Sequence, residues 1–213
     1  MRFVLLATAC LTLGGCASMS KSECVYADWR AIGYEDGANG YPASAVSSRR
    51  QACAKAGVTP DMNEYLAGRD RGLEEYCTPA NGFSTGESGG AYNGVCGKHD
   101  ETAFLDHYRA GARLYTLRDR VRSAGYALRE ASENLGEIKF AIAETTTGLI
   151  RPELTVAQRA AEVVRLTQLA EQSDRVEGAI PGLRMNLESA EADLAAYEHQ
   201  LASRPMLARV AAR

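Results

Sequence analysis

Two long runs of apolar residues at heptad spacing fill the second half of this 213-residue chain and constrain its fold more than any other feature. The first runs Leu114, Leu117, Val121, Ala124, Leu128, Ala131, Leu135, Ile138, Ile142, Thr145 and Leu149. The second runs Leu166, Leu169, Ser173, Val176, Ile180, Leu183, Leu187, Ala190, Leu194, Tyr197 and Leu201. Alternating steps of three and four hold an apolar seam on one side of a helix. A seam kept over many heptads predicts a coiled coil. Gly148 and Pro152 separate the runs, and Thr155-Val156-Ala157-Gln158 then reads as a capping box that opens the second helix. The runs are similar in length, so the simplest arrangement over 101–204 is an antiparallel coiled-coil hairpin turning about Arg151. Its arm would reach ~70 Å at about 1.5 Å per residue. Gly178, Pro181 and Gly182 are expected to bend or break the second helix. The tail over 205–213 is expected to fray.

The N-terminus has the pattern of an export signal over 1–15. Arg2 is its only charge, and an almost wholly apolar run from Phe3 to Leu13 follows. That run is shorter than the ~20 residues a spanning helix needs, but it suits the apolar region of a signal peptide. Leu13-Gly14-Gly15-Cys16 follows in the manner of a lipobox, which predicts cleavage before Cys16 and lipid attachment to it. Residues 16–23 would then be a tether, and the lipid would be the link to a membrane. Of the six cysteines, Cys24, Cys53, Cys77 and Cys96 remain once Cys10 and Cys16 are set aside. An even number in an exported chain predicts two disulfides. Three pairings are possible, and Cys24–Cys53 with Cys77–Cys96 closes the smallest loops. The net charge of −3 gives no footprint for a nucleic acid.

The region 24–100 differs from the arm. It holds these four cysteines, the only Trp and most of the glycines. An aromatic residue followed by small residues one turn apart recurs as Trp29…Gly33…Gly37, as Tyr65…Gly68…Gly72, and loosely as Tyr108…Gly111…Tyr115. Glycines four apart share a helix face and let another backbone approach, so three closely packed helices are expected. The middle one would start at Thr59-Pro60, and a short helix would lie around Ala45 to Ala56, ended by Gly57. Residues 78–97 read as a glycine-rich loop pinned by Cys77 and Cys96. The fold class expected is therefore all-α, a small disulfide-tied helical module followed by a long hairpin.

No catalytic constellation stands out. Gly86-Glu87-Ser88-Gly89-Gly90 matches a nucleophile pattern, but its flanks lack the strand and helix that an elbow needs. Cys96-Gly97-Lys98-His99 has zinc-ligand spacing, yet an oxidised thiol binds no zinc. No enzyme activity, metal or cofactor is expected. Two candidate binding surfaces remain: Phe83 and Tyr92, which read as core or as a stacking groove in the module, and Leu149 and Ile150, with Leu154, which read as turn packing or as a partner-binding hairpin tip.

Several stretches together resemble the bacterial lipoproteins grouped as domain of unknown function 2799. They are Asp28-Trp29-Arg30-Ala31-Ile32-Gly33-Tyr34-Glu35-Asp36-Gly37, the Cys53 segment, Gly72-Leu73-Glu74-Glu75-Tyr76-Cys77-Thr78-Pro79 with Asn81-Gly82, and Tyr92-Asn93-Gly94-Val95-Cys96. The resemblance spans roughly Cys24 to Tyr115 and supplies no catalytic residue. It implies an envelope lipoprotein. Ala17, standing where an aspartate retains such proteins in the inner membrane, implies the periplasmic face of the outer membrane. The function expected is a structural or protein-interaction adaptor with an envelope protein partner. The alternative is a ligand-binding module using Phe83 and Tyr92.

Overall fold

A computed structural model describes residues 19–203. The export signal, Cys16 and the tail over 205–213 lie outside the described residues. Those described form helices and connections, with no strand among them. The helices are α1 (Lys21–Tyr26), α2 (Trp29–Ala38), α3 (Val46–Lys55), α4 (Met62–Tyr76), α5 (Pro79–Glu87), α6 (Glu101–Leu149) and α7 (Val156–Ala202). A single 3-10 turn, Ala43–Ala45, leads into α3. The described residues fall into two compact units, one holding those up to Thr78 together with Tyr92–Glu101, and one holding Pro79–Ala91 together with those from Thr102 onward.

In the first unit α1 opens on a capping box in which Ser20 and Glu23 satisfy each other's backbone amides. The Cys24–Cys53 bridge joins α1 to α3, and Cys77–Cys96 ties the end of α4 to the following loop. This is the pairing that closes the smallest loops. The core gathers Cys24, Trp29, Val46, Cys53 and Tyr65. One charge is buried among them: Asp36, 2% exposed, accepts from Arg49 at 2.6 Å and from the Tyr65 hydroxyl at 2.9 Å. Both partners are needed, because an unpaired carboxylate there would carry a large desolvation penalty.

The helix pair α2–α4 is held by missing side chains. A β-carbon on Gly33 would overlap the carbonyl of Tyr65, and one on Gly37 that of Arg69. Reciprocally, Gly68 and Gly72 face the carbonyls of Arg30 and Tyr34. The contacts advance together, so the two helices run in the same direction. Carbonyl oxygens set against glycine Cα atoms have the geometry of weak Cα–H···O bonds.

The second unit contains the same construction, and here one expectation is corrected. Residues 79–87, read as part of a loop, form α5. Gly82 and Gly86 face the carbonyls of Phe104 and Tyr108 on α6, and Gly111 faces that of Phe83. The correspondence with α2–α4 continues beyond the crossing. Gly40 and Gly89, both at positive φ, end α2 and α5 and lie against the rings of Tyr76 and Tyr115. Tyr41 N–H bonds the Asp36 carbonyl at 2.9 Å, and Gly90 N–H bonds that of Thr85 at 2.8 Å. Arg69 caps the Tyr41 carbonyl at 2.8 Å, and the Tyr108 hydroxyl caps that of Gly90 at 3.0 Å. Residues 29–76 and 78–115 thus hold two copies of one parallel helix pair. His107 stands where the first copy has Gly68. The loop reading failed because glycine disfavours a helix by about 1 kcal/mol per residue, whereas here packing demands glycine.

Two further readings are corrected. The middle helix, α4, starts at Met62 and not at Thr59-Pro60, because Asp61 accepts from the amides of Asn63 and Glu64 and so supplies the cap. The expected break in the second helix does not occur, since α7 is continuous through Gly178, Pro181 and Gly182. Proline in a helix interior costs roughly 3 kcal/mol, which the remainder of a 47-residue helix absorbs. The core of the second unit comprises Phe83, Leu114, Leu117, Tyr197 and Leu201, and the Tyr197 hydroxyl donates to the Ala110 carbonyl at 3.0 Å.

Candidate functional site

Of the two aromatics expected to form a stacking groove, Phe83 is buried. Phe83 is 1% exposed in the core of the second unit, while Tyr92 belongs to the first. The Tyr92 hydroxyl donates to Glu101 at 2.6 Å and accepts the amide of Cys96 at 2.9 Å. Burial, and then the bond to Glu101, pushes its phenol up to about 12. Asn93 donates to the Gly40 carbonyl at 3.1 Å. Tyr92 and Asn93 therefore latch the loop that follows α5. Ser88 sits just past the end of α5 with its hydroxyl donating to the Thr85 carbonyl at 3.0 Å, and no strand precedes it. Cys96 is in a disulfide, and His99 Nε2 lies 3.6 Å from Asp70. No group of three or more metal-binding side chains occurs among the described residues.

The turn between α6 and α7 is the more open surface. Leu149 is half-buried, and its carbonyl is capped by Arg159, which also reaches the Arg151 carbonyl at 3.2 Å. That double cap holds the turn. Ile150 is left 80% exposed, with Val156 88% exposed on the first turn of α7. Leu154 is half-buried and lines a shallow cavity of about 250 Å³ with Thr145, Arg151 and Arg165. Val156 is the residue that the heptad reading misses, since it falls outside both series. Its signal is an apolar side chain directly after the Thr155 cap, before any helical neighbour can cover it.

A second open surface lies along one side of the α2–α4 pair. Ala31, Ala67 and Gly68 floor a cavity of about 490 Å³, walled by Arg30, Tyr34 and Arg71. Arg30 pairs with Glu64 at 2.9 Å and Arg71 with Glu74. The Tyr34 hydroxyl donates to Glu75 at 2.8 Å, and that bond raises its phenol above the ordinary value.

These features define an all-helical, disulfide-bridged protein built on a duplicated parallel helix pair. Residues 28–113 match the model of a family described as protein of unknown function (DUF2799). The matched segment opens at the Asp28 cap of α2 and closes just beyond Gly111, so it takes in the first copy of the helix pair and the glycine contacts of the second. No curated protein and no solved structure matches the chain. No helix among the described residues is long and apolar enough to cross a membrane.

Proposed function

We propose that this chain is a lipid-anchored adaptor of the cell envelope. Its lipid is on Cys16, its helical module stands near the periplasmic face of the outer membrane, and an antiparallel coiled-coil hairpin of α6 and α7 presents the turn to a protein partner. One observation carries the reading, namely the pairing of a cross-helix register with an uncovered apolar turn. Arg120 meets Asp193 at 3.1 Å, Lys139 meets Glu177 at 3.4 Å, and Arg159 caps Leu149, so α7 residues descend as α6 residues rise. Every position of both heptad series is buried or half-buried, in keeping with a/d seam positions that face each other. Ile150 and Val156 stand beyond that seam. Large apolar side chains held uncovered on a capped turn favour a protein contact.

A photo-crosslinking amino acid at Ile150, in living cells, tests the adaptor. One discrete envelope protein crosslinked at Ile150, and lost when Val156→Asp is added to the same chain, supports it. A chain that folds, reaches the membrane and yields no adduct there overturns it. The anchor is tested separately. Cys16→Ala should lose incorporation of labelled palmitate and leave the membrane fraction, and unchanged membrane association would sink that part alone.

A further inference from the structure

With a lipid on Cys16, two residues, Ala17 and Ser18, separate the membrane anchor from Met19. Three backbone steps span at most about 11 Å. Met19 packs against the core around Cys24, Trp29 and Cys53, so a face of the first unit is held at the bilayer surface. The helix nearest the anchor is α1. Cys24, its buried residue, bridges to Cys53, and Met19 and Ala27, just before and after the helix, pack on the same core. These three attachments fix which side of α1 faces out. At about 3.6 residues per turn, Lys21, Ser22, Val25 and Tyr26 share one arc of the helix, and all four are exposed. Val25 is 53% exposed and Tyr26 86%. Glu23 lies outside that arc and is engaged with Ser20 in the cap.

We propose that this outer face of α1 lies in the headgroup layer of the membrane that holds Cys16, with Val25 and Tyr26 entering the layer and Lys21 meeting the phosphates of acidic phospholipids. The proposal rests on the lipid at Cys16 and adds a second, non-covalent contact to it. The composition of the arc suits that place. Tyrosine gathers at the headgroup level, where its ring meets acyl chains and its hydroxyl meets water, and lysine beside it is drawn to anionic lipid. No acidic side chain on the arc opposes that attraction. The tether also disfavours a protein as the occupant. Tyr26 stays within roughly 25 Å of Cys16, less than the ~30 Å breadth of a small domain, so little room is left between α1 and the bilayer. The lipid alone would hold the first unit nearby in any orientation, whereas contact through α1 selects one.

The test is a photo-crosslinking phenylalanine analogue in place of Tyr26, in the full chain in living cells, with labelled palmitate reporting the lipid on the same protein. The expected result is an adduct on phospholipid. Lys21→Glu combined with Val25→Asp should lower the adduct yield several-fold while palmitate content and the thermal midpoint stay unchanged. Both residues are exposed, and the Cys24–Cys53 bridge holds α1 in place whichever side chains stand there. Palmitate present without a lipid adduct overturns the contact and leaves the anchor standing, whereas palmitate absent overturns both. An adduct on protein alone overturns the contact as well. So does a lipid yield indifferent to the two substitutions, which would mean that the tether brings Tyr26 near the bilayer without seating it there.

Discussion

Gly37 of α2 lies so close to α4 that a β-carbon on it would overlap the carbonyl oxygen of Arg69. The same relationship joins Gly86 to Tyr108 in the second copy, where an added β-carbon would also stand 2.6 Å from the Ala112 amide. The obstacle in each case is backbone, which cannot rotate away as a side-chain tip can.

Alanine should therefore act with opposite sign at different helical glycines. Gly37→Ala and Gly86→Ala are expected to destabilise the chain by about 3 kcal/mol or more, because overpacking against backbone must part the helices. Gly136 and Gly178, in α6 and α7, have nothing within 4 Å of an added β-carbon. There alanine should stabilise by about 0.5–1 kcal/mol through helix propensity. Chemical denaturation of the four variants checks this, and a stabilising Gly86→Ala would mean that α5 does not pack on α6 through its glycines.

The buried Asp36 gives a second prediction. Arg49→Ala leaves the carboxylate with the Tyr65 hydroxyl as its remaining donor from this set and should cost about 3–5 kcal/mol, the range for breaking a buried pair from one side. Replacing Asp36 and Arg49 together by leucine and methionine should recover a large part of that loss. A double-mutant cycle on urea midpoints measures it.

Much of this architecture was legible in the residues, for identifiable reasons. The heptad series could be read because helix period and apolar spacing coincide over many turns. The Thr155–Gln158 capping box was legible because cap chemistry is local. The bridges followed from loop length. What escaped were features whose cause is remote in sequence. Gly82 and Gly86 read as loop formers because the helix that requires their smallness lies beyond Glu101. The equivalence of Gly40–Tyr76 with Gly89–Tyr115 was hidden because the segments joining the two helices differ in length between the copies. Phe83 reads as one aromatic among several in a glycine-rich stretch, and the core it joins includes Leu201, far along the chain. The open side of α2–α4 had no signal beyond Ala31 and Ala67, which as alanines suit any helix.

Alkaline pH should weaken the first unit specifically. Burial pushes the phenols of Tyr65 and Tyr92 up to about 12, aided by bonds to Asp36 and Glu101 respectively. The ordinary value of a tyrosine is about 10. The folded state thus holds these protons more tightly than the unfolded chain does. Their stabilisation is complete below the unfolded value and is lost as pH rises through about 10 to 12. Urea midpoints should fall across that window. Tyr65→Phe should start lower at neutral pH, having lost the bond to Asp36, and fall less steeply. A parallel decline in both proteins would remove Tyr65 as a source of the pH dependence.

The two bridges should differ slightly in worth. Cys24–Cys53 spans 29 residues and Cys77–Cys96 spans 19. If each stabilises chiefly by restricting the unfolded chain, removal of either costs about 2–4 kcal/mol, and the longer loop should cost more by a few tenths of a kcal/mol. Paired alanine variants, Cys24→Ala with Cys53→Ala and Cys77→Ala with Cys96→Ala, allow the comparison. The second bridge has a further duty that chain entropy does not count. It holds the segment in which Tyr92 bonds the Cys96 amide and Asn93 bonds the Gly40 carbonyl. If those latches need the bridge, its removal exceeds the entropic estimate and reverses the order, and the Tyr92 phenol returns toward its ordinary value. An ultraviolet titration of the tyrosines in the second variant separates the two cases. An unmoved Tyr92 together with the smaller loss of stability would show that the loop is held by its hydrogen bonds, with the disulfide adding loop closure alone.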